Sequence, residues 1–334
     1  MFKNISVIGD GAMATVLAML LAEKNIPVRI WGYDARQLRE TQKSRENKKF
    51  FPGYKLTRSI AFEPDDKLIF AGADLIISAV PCQFIRSVWI RLRNHTPEGV
   101  PICSVAKGIE NKTLQRPTQI IADVLGDLVR RKLAALSGPT IADELARKLP
   151  ATACAASADE KLAQDIQQTF SAPWFRIYTN TDVVGVELAG AMKNIIAIAA
   201  GIIDGIGAGD NAKAALLCRG LAEISRLGLA MGAKPQTFAG LTGLGDLVTT
   251  CVSPKGRNRS FGQRVGQGQS PTTAESATVS VIEGIATCRS VVEGLLPKYK
   301  VEMPITQAVY DCLFKAKPVE AAITDLMTRR LKSE

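Results

Sequence analysis

The sequence predicts an α/β protein in two parts: an N-terminal domain built on a mostly parallel sheet, followed by an all-α C-terminal domain. Three observations predict it. Up to about residue 180, short β-rich runs alternate with longer helix-like segments. From residue 183 onward, β-branched runs give way to long Ala/Leu/Gly stretches. The length of 334 residues suits about two domains. The expected division is 1–182 and 183–334.

Five apolar runs read as strands in order: Ile5 to Ile8, Val28 to Trp31, Leu75 to Ser78, Ile102 to Val105 and Leu133 to Leu136. Helix-like segments such as 12–24 and 84–93 lie between them, with turn residues at most junctions. Such alternation predicts a parallel sheet covered by helices on both faces. Residues 151–156 and 174–178 are two further strand candidates. In the second part, 183–203 and 212–232 read as long helices, the latter opening after Asp210-Asn211 as N-cap. The polar interval 253–278 is poor in apolar residues and reads as a long loop, either linker or functional surface.

A composition of 46% hydrophobic and 22% charged residues is that of an ordinary globular chain, and the net charge is +10. That excess suits nucleic acid, an acidic membrane surface or a small anionic ligand. The densest basic run, Arg130-Arg131-Lys132, follows a helix-like pattern and reads as a solvated helix end, which argues against nucleic acid. Seven scattered cysteines without a CxxC pair, and a single histidine, His95, indicate neither a zinc site nor a disulfide framework. No uninterrupted apolar run approaches the roughly 20 residues of a membrane span. A reducing, cytoplasmic setting is the expectation.

The first strand runs directly into Gly9-Asp10-Gly11-Ala12-Met13-Ala14, a GxGxxG/A pattern between strand and helix. Gly9 would permit the tight turn, Gly11 the approach of backbone to a diphosphate, and Ala14 close helix–strand packing. At the first strand of an alternating domain this favours a Rossmann-like dinucleotide site over an ordinary turn. After the second strand comes Gly32-Tyr33-Asp34-Ala35-Arg36. Asp34 suits a ribose hydroxyl or a helix cap, Tyr33 could stack, and Arg36 could meet a 2′-phosphate, so NAD and NADP both remain open.

Around Lys193, the residues at helical spacing are Val186, Ala189, Gly190, Ile196, Ala197, Ala200 and Gly201, every one small or apolar. A lysine facing inward there would lose hydration and become suited to proton transfer. The other reading is a stem lying on the apolar face with its amine in water. Lys107 and the tract Ser137-Gly138-Pro139-Thr140 each follow an apolar strand, where open α/β sheets gather ligands. Thr242-Gly243-Leu244-Gly245-Asp246 supplies a carboxylate in a glycine-rich turn, and Gly256-Arg257-Asn258-Arg259 supplies donors suited to phosphate.

Together these motifs resemble the NAD(P)-dependent glycerol-3-phosphate dehydrogenases of bacterial type, over nearly the whole chain. The most specific stretch is Glu187-Leu188-Ala189-Gly190-Ala191-Met192-Lys193-Asn194, continuing to Asp204-Gly205 and Asn211 to Ala215. The resemblance implies hydride exchange between sn-glycerol 3-phosphate and dihydroxyacetone phosphate, feeding phospholipid synthesis, in a homodimer. It implies catalysis by Lys193, Lys107 and Asp246. Lys107, Gly138, Thr140, Lys193, Asp246, Gly256, Arg257 and Asn258 would surround the substrate. Gly9, Gly11, Ala12, Met13, Ala14, Tyr33, Lys107, Ala142, Arg257, Val281 and Glu283 would line NAD or NADP. The chain departs from the family pattern at Ala14 for the third glycine, Gly256 for a serine, and Tyr33 for a basic residue or histidine. Two rivals are a β-hydroxyacid or nucleotide-sugar dehydrogenase of the same superfamily, and a non-catalytic dinucleotide sensor.

Overall fold

The computed structural model describes residues 1–129 and 132–331. Arg130 and Arg131 of the basic run lie outside the described residues. The chain forms two compact units: residues 1–107 with 115–187, and residues 108–114 with 188–334. The segment 108–114 thus groups with the helical part of the chain.

In the first unit the strands are β1 (Ile5–Ile8), β2 (Val28–Trp31), β3 (Glu46–Asn47), β4 (Phe51–Lys55), β5 (Ile60–Phe62), β6 (Leu75–Ser78), β7 (Ile102–Ser104), β8 (Leu133–Ser137), β9 (Ala151–Ser157) and β10 (Phe175–Asn180). Eight of them form one sheet in the order β10-β9-β8-β7-β6-β1-β2-β5. All pairings are parallel except β8 with β9. The chain leaves β1 towards β2 and β5, then returns to the other side of β1 with β6, so the order reverses between β1 and β6.

The helices of this unit are α1 (Ala12–Glu23), α2 (Ala35–Ser44), α3 (Ile85–Leu92), α4 (Pro117–Leu125), α5 (Ala142–Ala146) and α6 (Glu160–Phe170). Continuous apolar strands are what a sheet covered on both faces requires. Ile5, Val7, Ile30, Leu75 and Ile77 join the core under α1 and α6, whereas Ile8, Trp31 and Ile76 join the core under α3 and α4. Successive residues therefore enter opposite cores, as the strand pleat dictates. Glu187 is buried, and its carboxylate accepts from Arg116, from Thr118 N at 2.8 Å and from Thr118 Oγ1 at 2.7 Å.

The strand expectations hold for all seven runs named from sequence. Three further strands are observed. β5 has only three residues, and β4 contains Pro52-Gly53, which interrupts any apolar alternation.

α7 (Val183–Gly205) carries the chain into the second unit, followed there by α8 (Gly209–Ala230), α9 (Pro235–Ala239), α10 (Asp246–Val252), α11 (Arg257–Gly266), α12 (Pro271–Ser276), α13 (Glu283–Ser290), α14 (Leu296–Tyr299), α15 (Pro304–Phe314) and α16 (Val319–Met327). α7 is long and apolar enough to cross a membrane, but 94% of its apolar window is buried inside the structure. Asp210 and Asn211 lie inside the first turn of α8 rather than at its cap, which is Ala208. The expected loop 253–278 is largely helical. α11 and α12 bury few of their own residues, chiefly Asn258, Phe261, Gly262, Val265 and Ala274. Glycine lets α11 lie directly on α7. A Cβ at Gly201 would collide with the Arg259 carbonyl, and one at Gly262 with the Ile198 carbonyl. That backbone contact substitutes for the apolar side chains whose scarcity suggested a loop.

Candidate active site

At the carboxyl ends of the parallel strands, the loop after β1 meets the segment after β6. Gly9 has φ +112, and a Cβ there would lie 2.6 Å from the Ala79 carbonyl oxygen, so both its conformation and its neighbour demand glycine. Gly11 has nothing within 4 Å of where its Cβ would sit, leaving the backbone open to an approaching group. It is also the N-cap of α1, with no side-chain cap and no acidic residue in the first turn. Uncapped N–H groups at a helix start, beside an open glycine at the switch point of the sheet, fit a dinucleotide diphosphate. Ala12 and Met13 are half-buried against the core, and Ala14 is fully buried, which explains why a small residue suffices there.

Beyond β2, Tyr33 is 68% exposed, with Trp31 edge-on at 6.4 Å. Asp34 caps α2, its Oδ1 accepting from Arg36 N at 2.9 Å and Gln37 N at 3.2 Å. Arg36 pairs with Glu40 at the surface. Sequence reasoning missed Arg91, whose guanidinium stands 5.4 Å from the Tyr33 ring and pairs with both oxygens of Asp66 at 2.7 and 2.8 Å. The contact joins residues nearly sixty positions apart through the sheet order and the core that Trp31 shares with Val88 and Trp89 of α3, so no local pattern announced it.

Two strands further along, β7 and β8 end side by side and bring Lys107, Gly138 and Thr140 together. The Gly138 carbonyl accepts from Lys107 Nζ at 2.9 Å and from Thr140 Oγ1 at 3.1 Å. Ala142 opens α5 and packs on the core beneath.

The second unit holds the buried lysine. Lys193, 6% exposed, donates to Asp246 Oδ1 at 2.6 Å and also to Thr250 Oγ1. Asp246 and Thr250 stand one turn apart on α10. The glycine-rich tract 241–245 before them is a wide helical turn in which a Cβ at Gly243 would collide with the Phe238 backbone. The inward-facing reading of Lys193 is therefore the observed one. Its apolar stripe is completed by a carboxylate that offsets the cost of desolvating the amine. Thr250 went unnoticed in the sequence, although the i,i+4 relation to Asp246 was a usable signal.

Asn258, also buried, donates from Nδ2 to Asn194 Oδ1 at 3.0 Å and accepts at Oδ1 from Gly284 N at 2.9 Å, tying α11 to α7 and α13. Arg257 lies at the surface and donates to the Val281 carbonyl at 3.2 Å, two residues before Glu283 opens α13. Gly256 is the uncapped N-cap of α11, but its N–H already donates to the Ser253 carbonyl at 3.2 Å. Among the described residues no group of three or more His, Cys, Asp or Glu could hold a metal ion.

Two family models cover the chain: the NAD-dependent glycerol-3-phosphate dehydrogenase N-terminus matches residues 4–163, and the C-terminus of the same enzyme matches residues 182–324. The chain belongs to the NAD-dependent glycerol-3-phosphate dehydrogenase family. Glycerol-3-phosphate dehydrogenase [NAD(P)+] of a Geobacter species is 45% identical over 334 residues, covering 100% of this chain and 99% of that one. The Chlorobium phaeobacteroides enzyme of the same name is 46% identical over 331 residues, covering 99% of each. The solved glycerol-3-phosphate dehydrogenase from Coxiella burnetii superposes with a TM-score of 0.93 at 34% identity, covering 98% of this chain and 99% of that one. D-mandelate dehydrogenase, a dehydrogenase of different substrate, matches with a TM-score of 0.62 at 11% identity and shares the fold alone. Family membership makes the chain an oxidoreductase that uses NAD or NADP.

Proposed function

We propose that the chain interconverts sn-glycerol 3-phosphate and dihydroxyacetone phosphate, with Lys193 as the group that moves the proton. The observation that carries this reading is the buried Lys193–Asp246 pair on a chain 45% identical to a named glycerol-3-phosphate dehydrogenase. When bound, the nicotinamide carries the hydride. In the reductive direction Lys193 Nζ donates a hydrogen bond to the ketone oxygen and gives up a proton as the alkoxide develops. In the oxidative direction the neutral amine takes the hydroxyl proton. Asp246 and Thr250 hold the amine in place, so that its position is set before substrate arrives.

Phosphate recognition falls to Arg257 and Asn258 in the first turn of α11, where an uncapped helix start favours an anion. Arginine adds a planar pair of donors, and Asn258 is held rigidly by its own two partners. Gly256 contributes to this turn through shape. From the first unit we assign Lys107, Gly138 and Thr140 to the substrate. We assign Gly9, Gly11, Ala12, Met13, Ala14, Tyr33, Lys107, Ala142, Arg257, Val281 and Glu283 to the dinucleotide. Binding a non-reacting phosphate supplies energy that orients the carbon to be reduced. We further propose that the enzyme is a cytoplasmic homodimer that supplies glycerol 3-phosphate for phospholipid synthesis.

The test mixes purified protein with dihydroxyacetone phosphate and follows nicotinamide absorbance with NADH and NADPH separately. Rapid oxidation is expected, and dihydroxyacetone without the phosphate should be a far poorer substrate. Equal rates on the two ketones would remove the phosphate assignment. No oxidation at all, despite dinucleotide binding, would favour the sensor reading.

A further inference from the structure

The second unit carries a groove of about 1530 Å³ that the reaction above does not use. One wall is a stripe of α8 in which Ala212, Ala215, Leu216 and Arg219 recur at helical spacing; the facing wall is α16 with Ile323 and Leu326. Small residues on the exposed side of α8 hollow the wall, and apolar side chains face the hollow from α16. An exposed apolar concavity of this size marks a binding surface more often than chance packing does.

Its charge is one-sided. Lining cations outnumber lining carboxylates five to two. Both carboxylates are already engaged. Glu223 is buried and accepts from the backbone N–H groups of Ile305 at 2.6 Å and Thr306 at 3.1 Å, while Glu302 pairs with Arg329 at 3.3 Å. Among the described residues, Arg219, Lys300 and Arg330 enter no ion pair. Among the described residues the groove therefore offers an apolar trough lined by an excess of positive charge.

We propose that it binds a single-chain amphiphile with an anionic head, an acyl carboxylate, whose chain lies between α8 and α16 and whose head sits among Arg219, Lys300 and Arg330. A second copy of the chain fits less well. A two-fold contact could offer these cations only the same groove's carboxylates, Glu223 and Glu302, and both are already engaged.

The experiment is calorimetric titration of the full-length protein with dodecanoate, decanoate and octanoate below their micellar concentrations, with dodecan-1-ol and inorganic phosphate as comparisons. One dodecanoate per chain should bind, and each methylene removed should weaken binding about fourfold, the transfer value of one CH₂ group. Arg219→Gln with Lys300→Gln should weaken it about tenfold or more, and Ala215→Trp, at an exposed position, should abolish it with the melting temperature unchanged. Equal affinity for dodecan-1-ol, equal affinity for inorganic phosphate, or indifference to chain length would overturn the proposal. So would a concentration-dependent dimer that Ala215→Trp disrupts, because the groove would then be filled by another copy.

Discussion

Asp246 Oδ1 lies 2.6 Å from Lys193 Nζ although 53 residues separate them, and both side chains are almost wholly buried. A buried pair of this kind is costly to break, because either partner alone is left without compensation. Lys193→Ala should therefore do two things. Turnover should fall by about 10²–10⁴, the range for loss of a proton-transfer group, with NADH affinity unchanged. Stability should also fall, by about 3–5 kcal/mol, as Asp246 loses its counter-charge. Joining Asp246→Leu to Lys193→Met should restore much of the stability in urea unfolding and none of the activity. A double variant that regained turnover would show that the pair is only structural.

Arg257 and Asn258 are neighbours on α11, yet the structure gives them different predicted phenotypes. Arg257 is exposed and holds one carbonyl, so Arg257→Ala should raise the KM for dihydroxyacetone phosphate about 10- to 100-fold, the worth of a charged hydrogen bond, at an unchanged urea midpoint. Asn258 satisfies both Asn194 and Gly284 inside the protein. Asn258→Ala should accordingly cost about 1–3 kcal/mol of stability as well as substrate affinity. Identical unfolding curves for the two variants would contradict the bridging role.

These contrasts mark how far the sequence could be read. β1, β2, β6, β7 and β8 were legible because a strand buried on both faces leaves a continuous apolar run, and the GxGxxG/A loop because glycine has a stereochemical task there. β5 was not, because it is apolar but only three residues long, and neither was the β3–β4 hairpin, which is short and interrupted by Pro52-Gly53. α11 escaped notice because its stability comes from backbone resting on α7, which apolar periodicity does not record. Lys193 was conspicuous as a charge in an apolar stripe. Its partner on α10 was legible only through family likeness, since pairing across 53 residues leaves no local trace. Arg91 beside Tyr33 was invisible for the same reason.

The α7–α11 contact makes its own prediction. A methyl group at Gly262 would meet the Ile198 carbonyl, and one at Gly266 the Ile202 carbonyl, both on α7. Backbone cannot yield as a flexible side chain can, so α11 would have to move away. Gly262→Ala should cost about 1–3 kcal/mol by overpacking. The KM for the phosphorylated ketone should rise too, because Arg257 and Asn258 ride on the displaced helix. A variant with full stability and unchanged KM would show that the seam has slack the structure does not reveal.

Asp10 sits inside the dinucleotide loop with its carboxylate against Gly32, and burial pushes its carboxyl above the ordinary 3.8, opposed by its own backbone hydrogen bond and by Lys49. A raised value means that the folded state holds the proton more firmly than the unfolded one. The stability linked to this group is therefore fully present below the unfolded value and lost as pH rises through the folded one. Asp10→Asn should escape that loss. Urea unfolding of the two proteins from about pH 4 to about pH 8 should show a gap in the variant's favour that opens as pH rises and then levels off. NADH should bind the variant more tightly at pH values high enough to ionise Asp10, because a negative charge has then been removed beside the loop that meets the diphosphate. Parallel stability curves across that range would mean that the Asp10 carboxylate is hydrated as freely in the folded chain as in the unfolded one.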